Sequence, residues 1–163
     1  MPDRRADHLR VAEFQDFHAG RLGVPLLGDD EIRALLASKP RIAMIGASNR
    51  PIRPSFGVFV ALRRAGYDVV PVNPGESLID GIPSFPSLKA AVEATGPVDI
   101  VDVFRRAQAC PAHAREAIEV GAGCLWLQLG IVSREAGDIA AAAGLSVVMD
   151  RCTIIEHDRL IRS

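Results

Sequence analysis

From residue 41 onward the chain alternates between short, mainly apolar runs and longer amphipathic ones. The runs at 41–45, 67–72, 98–104, 124–127 and 146–149 are rich in Val and Ile and show no polar alternation. They therefore predict strands buried on both faces. Helical patterns separate them. The first starts at Ser55, read as an N-cap after Pro54, and stops at Gly66. A short helix is predicted over 87–94 and another over 111–120, stopped by Gly121. A further one is capped by Ser133 and ends before Gly144, and a last helical turn covers 154–160. Strands alternating with helices, joined by right-handed crossovers, predict an α/β fold: a three-layer, doubly wound parallel sheet, Rossmann-like, of about five strands.

The first 40 residues are less regular. Residues 4–17 form an amphipathic helical pattern with Leu9, Val11, Phe14 and Phe17 roughly on one stripe. Such a helix could pack on the core or make a contact in a homo-oligomer. Residues 20–28 read as a linker. Asp29 or Asp30 is placed to N-cap a short helix through Leu36, which Lys39-Pro40 ends. The expected division is an N-terminal extension at 1–28 and a single Rossmann-like domain at 29–163.

Composition narrows the function. A chain of 163 residues that is 48% hydrophobic can bury one sizeable core. A net charge of −1 disfavours nucleic acid as a partner. No apolar run approaches the ~20 residues that span a bilayer, so no membrane partner is expected. The polar start of the chain lacks a secretory pattern, and the expected location is cytoplasmic. Three widely spaced cysteines and four scattered histidines suggest neither a disulfide framework nor a metal site.

The candidate chemistry lies where the strands end, because open α/β sheets bind ligands outside the carboxyl ends of their strands. The first strand is followed by Gly46-Ala-Ser-Asn-Arg-Pro-Ile-Arg-Pro-Ser55. This is a glycine-opened loop running into a helix, the arrangement that offers backbone amides to a phosphate. Gly46, Ala47, Ser48, Asn49, Arg50 and Arg53 belong to this end, and Asn73 and Pro74 to the next. Phe104, Arg105 and Arg106 follow the third strand, Gln128 and Gly130 the fourth, and Asp150, Arg151 and Cys152 the fifth. Arginine at three of five strand ends, in a chain of near-zero net charge, favours a ligand with several phosphates. A nicotinamide dinucleotide is disfavoured. The second glycine of its fingerprint is Ser48 here, and the second strand ends on Val72-Asn73-Pro74 without an acidic residue for a ribose hydroxyl. The absence of Gly-Lys-Ser/Thr after Gly46 excludes a P-loop.

Five segments in order carry a family resemblance. They are the loop above with Ile45; Val70-Pro-Val-Asn-Pro74; Pro97-Val-Asp-Ile-Val-Asp-Val-Phe-Arg-Arg106; Trp126-Leu-Gln-Leu-Gly-Ile131; and Val148-Met-Asp-Arg-Cys152 with Glu156-His157. Over about 29–161 the chain resembles the small stand-alone CoA-binding proteins, which are similar to the CoA-binding domain of the succinyl-CoA synthetase α subunit. The resemblance implies coenzyme A, or an acyl-CoA, as cofactor and partner. It implies that Gly46, Ala47 and Ser48 face the pyrophosphate, with the neighbouring Asn49 also at the cofactor. Arg53 would pair with a phosphate, and Ser55 would cap the helix or bond a phosphate oxygen. Asn73 and Pro74 would border the adenosine part, and Val103, Phe104 and Arg105 would line the path of the pantetheine arm.

Catalytic machinery is not evident in the sequence. Asp99 and Asp102, three apart on a strand, point to opposite faces and read as structural, for instance by bonding a loop backbone. Cys124 reads as buried and inert. Cys152 is the alternative: Arg151 beside it could lower its pKa, His157 could act as its base, and a mixed disulfide with CoA could form. The expectation is thus a CoA-binding protein with no catalytic residues of its own. Its alternatives are a small Rossmann-type enzyme or a CoA- or redox-sensing regulatory protein using Cys152.

Overall fold

The computed structural model describes residues 3–162. In chain order the elements are α1 (Arg4–His18), α2 (Asp29–Ala37), β1 (Ile42–Ile45), α3 (Pro54–Arg64), β2 (Val69–Val72), β3 (Leu78–Ile79), β4 (Ile82–Pro83), α4 (Leu88–Thr95), β5 (Ile100–Val103), α5 (Cys110–Glu119), β6 (Cys124–Leu127), α6 (Arg134–Ala142), β7 (Ser146–Val148) and α7 (Thr153–Leu160). The main sheet has five strands in the order β2-β1-β5-β6-β7, and every pairing in it is parallel. The five predicted strands are thus all present. The chain runs outward from β1 to β2 and then crosses back to place β5 on the other side of β1. The switch point therefore lies between β1 and β5.

The strict two-residue period of the strands builds two cores. Ala43, Ile45, Val101, Val103, Leu125 and Leu127 face one way and meet Leu88 and Ala91 of α4, Ala114 and Ala117 of α5, and Ala136 and Ala140 of α6. Ile42, Met44, Ile100 and Trp126 face the other way and meet Ile32 and Leu36 of α2, Phe59 and Leu62 of α3, and Leu160 of α7. Both strand faces are buried, which explains why these segments show no polar alternation. Alanines on α5 and α6 let those two helices approach each other and the sheet closely.

Three local expectations are corrected. The N-cap of α2 is Gly28, not Asp29 or Asp30; its amide donates to Glu31 Oε1 at 3.1 Å, while Asp29 accepts from Arg159 on α7 at 2.7 and 2.8 Å. Ser55 does not cap α3. Arg53 holds the N-cap position, Pro54 begins the helix, and Ser55 is buried in its first turn. The 20–28 stretch is not a free linker, since Leu22 and Val24 are buried in the core and the Leu27 amide donates to the Val147 carbonyl at 3.0 Å. After β2 the chain forms the small β3–β4 hairpin, turned by Asp80 and Gly81, both at positive φ.

Helix α1 is present as predicted, but it buries none of its residues. Its carboxyl end is tied down through Arg134, which donates to Asp16 at 3.0 Å and to the Leu22 carbonyl at 3.0 Å, and through His18 Nε2, 3.1 Å from Asp150. Among the described residues no helix is long and apolar enough to cross a membrane.

Candidate functional site

The loop after β1 is set by one close approach. Gly46 sits at φ 83°, and a Cβ there would lie 2.5 Å from the Phe104 carbonyl oxygen. The main chains leaving β1 and β5 thus touch at the switch point, and only glycine fits. The Gly46 amide is itself used, donating to the Val72 carbonyl at 3.1 Å. Its part in the site is therefore steric.

Beyond Gly46 the loop is braced by side chains. The Asn73 amide nitrogen donates to the Ala47 carbonyl at 2.7 Å, and its oxygen accepts from the Gly75 amide at 2.7 Å. Asn49 donates to the Leu78 carbonyl at 2.5 Å and accepts from the Asp80 amide at 2.7 Å, which ties the loop to the β3–β4 hairpin. The Asn49 amide donates to Glu76 at 3.0 Å, and Ser48 Oγ accepts from the Arg50 amide at 3.0 Å. Among the described residues the amides of Ala47, Ser48 and Ser55 have no partner. They lie between the end of β1 and the start of α3, where backbone dipoles favour an anion.

This loop forms one side of a cleft of about 740 Å³ across the carboxyl ends of β1, β5 and β6. Such a volume suits a small-molecule site. Four arginines line it: Arg50 and Arg53 from the β1 side, Arg105 and Arg106 from the β5 side. All four are exposed, and among the described residues none is paired with a carboxylate. Toward β6 the lining turns apolar, with Phe104, Leu129 and Ile131 joined by Ile155 of α7. Leu129 is 63% exposed and Ile155 50%, large apolar surfaces left uncovered at the edge of a cleft.

Of the eleven residues assigned to the CoA site in the sequence, Gly46, Ala47, Ser48, Arg53, Ser55, Asn73, Phe104 and Arg105 line this one cleft. Three do not. Val103 is fully buried in the core, because the alternation of β5 turns it toward α5. Asn49 is occupied with the hairpin, and Pro74 is exposed between the lining residues Asn73 and Gly75. Glu76 was missed. It lines the cleft, yet its carboxylate is held by the Asn49 amide, so the acidic group near the end of β2 is already in use. Arg151 turns away from the cleft to Glu156, at 3.4 Å, and Asp29, at 3.8 Å.

Beneath the cleft lies a polar cluster. Asp102 is completely buried; Gln128 Nε2 donates to its Oδ1 at 2.5 Å and Thr153 Oγ1 to its Oδ2 at 3.1 Å. Burial pushes its carboxyl up to about 7, against the pull of those two hydrogen bonds. Asp99 has the structural role expected, accepting from the Arg41 amide at 2.8 Å. Cys152 lines the cleft, but burial raises its thiol pKa, and Arg151 does not offset this. His157 is not its base: Nδ1 lies 2.7 Å from the Tyr67 hydroxyl. Among the described residues no group of three or more potential ligands could hold a metal ion.

The family model of the CoA binding domain matches residues 40–158. The uncharacterized protein YneT of Bacillus subtilis (strain 168) is 41% identical over 127 residues, 78% of this chain and 92% of YneT. Among solved structures, a hypothetical protein from Pyrococcus horikoshii OT3 matches at 36% identity with a TM-score of 0.78, covering 83% of this chain and 93% of that one. A Thermus thermophilus protein matches at 39% identity with a TM-score of 0.76, covering 83% of this chain and 100% of its own. A domain match across most of the chain, together with relatives of this identity, means that the protein belongs to the family of the CoA binding domain.

Proposed function

We propose that this protein binds coenzyme A or an acyl-CoA in the cleft at the ends of β1, β5 and β6, as a binding module that performs no reaction of its own. The observation that carries the reading is the convergence of four carboxylate-free arginines on a loop whose Ala47, Ser48 and Ser55 amides lack partners. Coenzyme A brings a pyrophosphate and a 3′-phosphate, which call for several cations and leave no ribose diol for an acidic residue. The amides of Ala47 and Ser48, with Arg53, would hold the pyrophosphate. Gly46 would let the chain turn there, and Asn73 would border the adenosine part while keeping Ala47 in place. Phe104 and Arg105, with Leu129 and Ile155, would accompany the pantetheine arm. The likeness to the CoA-binding domain of the succinyl-CoA synthetase α subunit supports the same division of the site.

The absence of chemistry is supported by what the cleft offers. Apart from arginines, its titratable side chains are Glu76, held by a backbone amide, and Cys152, whose thiol is kept protonated by burial. Titration calorimetry with coenzyme A, NAD and NADP tests the reading. Coenzyme A is expected to bind best, and Arg53→Ala to weaken it about tenfold or more, since a charge-assisted bond contributes about 1.5–3 kcal/mol. A preference for NAD, or an Arg53→Ala protein of unchanged affinity, would refute it.

A further inference from the structure

The cleft does not end at β6. A second cavity of about 420 Å³ lies beside it, walled on one side by Arg10, Val11 and Phe14 of α1 and on the other by Ala107, Gly130 and Val132. The two cavities share their walls along the chain: Ala107 follows the cleft residue Arg106, and Gly130 lies between the cleft residues Leu129 and Ile131. We propose that this second cavity is an acyl subsite, which takes the apolar acyl chain of a CoA thioester of medium length. The proposal rests on the CoA reading above and adds to it which thioester is preferred.

The order of chemistry along the sheet edge sets the direction. The free amides and two of the four arginines lie at the end of β1 and the other two arginines at the end of the adjacent β5, so the phosphates belong on that side. The lining becomes apolar through Phe104, Leu129 and Ile131 toward β6, so the thiol end of the pantetheine arm points toward the second cavity. There Val11, Phe14, Ala107 and Val132 make most of the wall; its polar side chains are Gln15 and Arg10, the latter already paired with Asp7. Val11 is 56% exposed and Phe14 37%, on a helix whose Phe17 packs on the core but which has no fully buried residue, although Arg134 and His18 hold it against the domain. An acyl chain would cover this uncovered apolar surface. The α1 side of this cavity lies outside residues 40–158, which the family model matches.

The test compares coenzyme A with octanoyl-CoA by calorimetry on the full chain and on Val11→Asp and Phe14→Asp variants. Each fully buried methylene is worth about fourfold in affinity, so even partial burial of the chain makes octanoyl-CoA at least about tenfold tighter than coenzyme A. Each substitution is expected to shrink that gap to about twofold while the affinity for coenzyme A itself stays unchanged. Equal binding of the two ligands by the unaltered protein overturns the subsite and leaves the CoA reading standing, as does a preference that survives both substitutions. Failure of both ligands to bind overturns the CoA reading and the subsite with it.

Discussion

Replacing Asp102 with asparagine should make the protein more stable, and increasingly so as pH rises. The carboxyl is fully buried, with two neutral hydrogen-bond donors and, among the described residues, no cation near enough to form an ion pair. Ionising it in place costs solvation that Gln128 and Thr153 only partly replace. Its pKa therefore rises from 3.8 to about 7 on folding. The sign follows from proton counting: between these two values the unfolded chain has released the proton and the folded chain has kept it. Stability from this group is complete below pH 3.8 and is lost progressively as pH rises toward 7. A rise of that size corresponds to about 4 kcal/mol, and relaxation around the charge lowers the expectation to about 2–4 kcal/mol. Asparagine mimics the protonated acid, since its oxygen can accept from Gln128 and its amide can donate to Thr153. Urea unfolding of both proteins at pH 5 and pH 8 reads the effect. The variant's advantage should be larger at pH 8 by about 1–2 kcal/mol. His157, whose pKa is lowered chiefly by burial, contributes stability that is lost as pH falls. Being present in both proteins, it cancels in the comparison. An advantage equal at the two pH values, or a variant that is less stable at pH 8, would refute the account.

Two further outcomes test the site. Gly46→Ala combines a positive φ with a Cβ 2.5 Å from the Phe104 carbonyl, so it should cost about 2–4 kcal/mol and lower Tm by roughly 5–15 °C in a thermal melt; a Tm within a degree of the unaltered protein would show that β1 and β5 part easily. Incubation with oxidised coenzyme A at pH 7.5 should leave Cys152 unmodified by mass spectrometry, since burial keeps its thiol protonated; rapid adduct formation there would restore the redox-sensing reading.

The five strands could be read from the chain because burial on both faces leaves each one mainly apolar, the buried Asp102 of β5 apart, with Gly, Pro or Asn nearby to bound it. The arginine-lined cleft was legible for a related reason: strand ends are easy to find, and ligands bind beyond them. Direction of the side chain was the harder matter. Val103 and Phe104 are neighbours, and β-strand alternation sends the first into the core and leaves the second in the cleft. Arg151 follows a strand as Arg105 does, but the carboxylates of Asp29 and Glu156, from elements distant or adjacent in sequence, draw it away. The β3–β4 hairpin is only two residues on each side, too short for a period, although Asp80-Gly81 is a recognised hairpin turn signal. Ser55 was misplaced as a cap because Pro54 fits best as the first residue of the helix.

The bracing of the loop between β1 and α3 bears on how a ligand enters. Asn73, Asn49, Glu76 and Ser48 already hold its backbone in the described conformation. Little chain entropy is then left to lose at the moment of capture, so binding energy is not diverted into ordering the loop. Association should accordingly be a single kinetic step limited by encounter, with the rate falling as salt screens the four arginines.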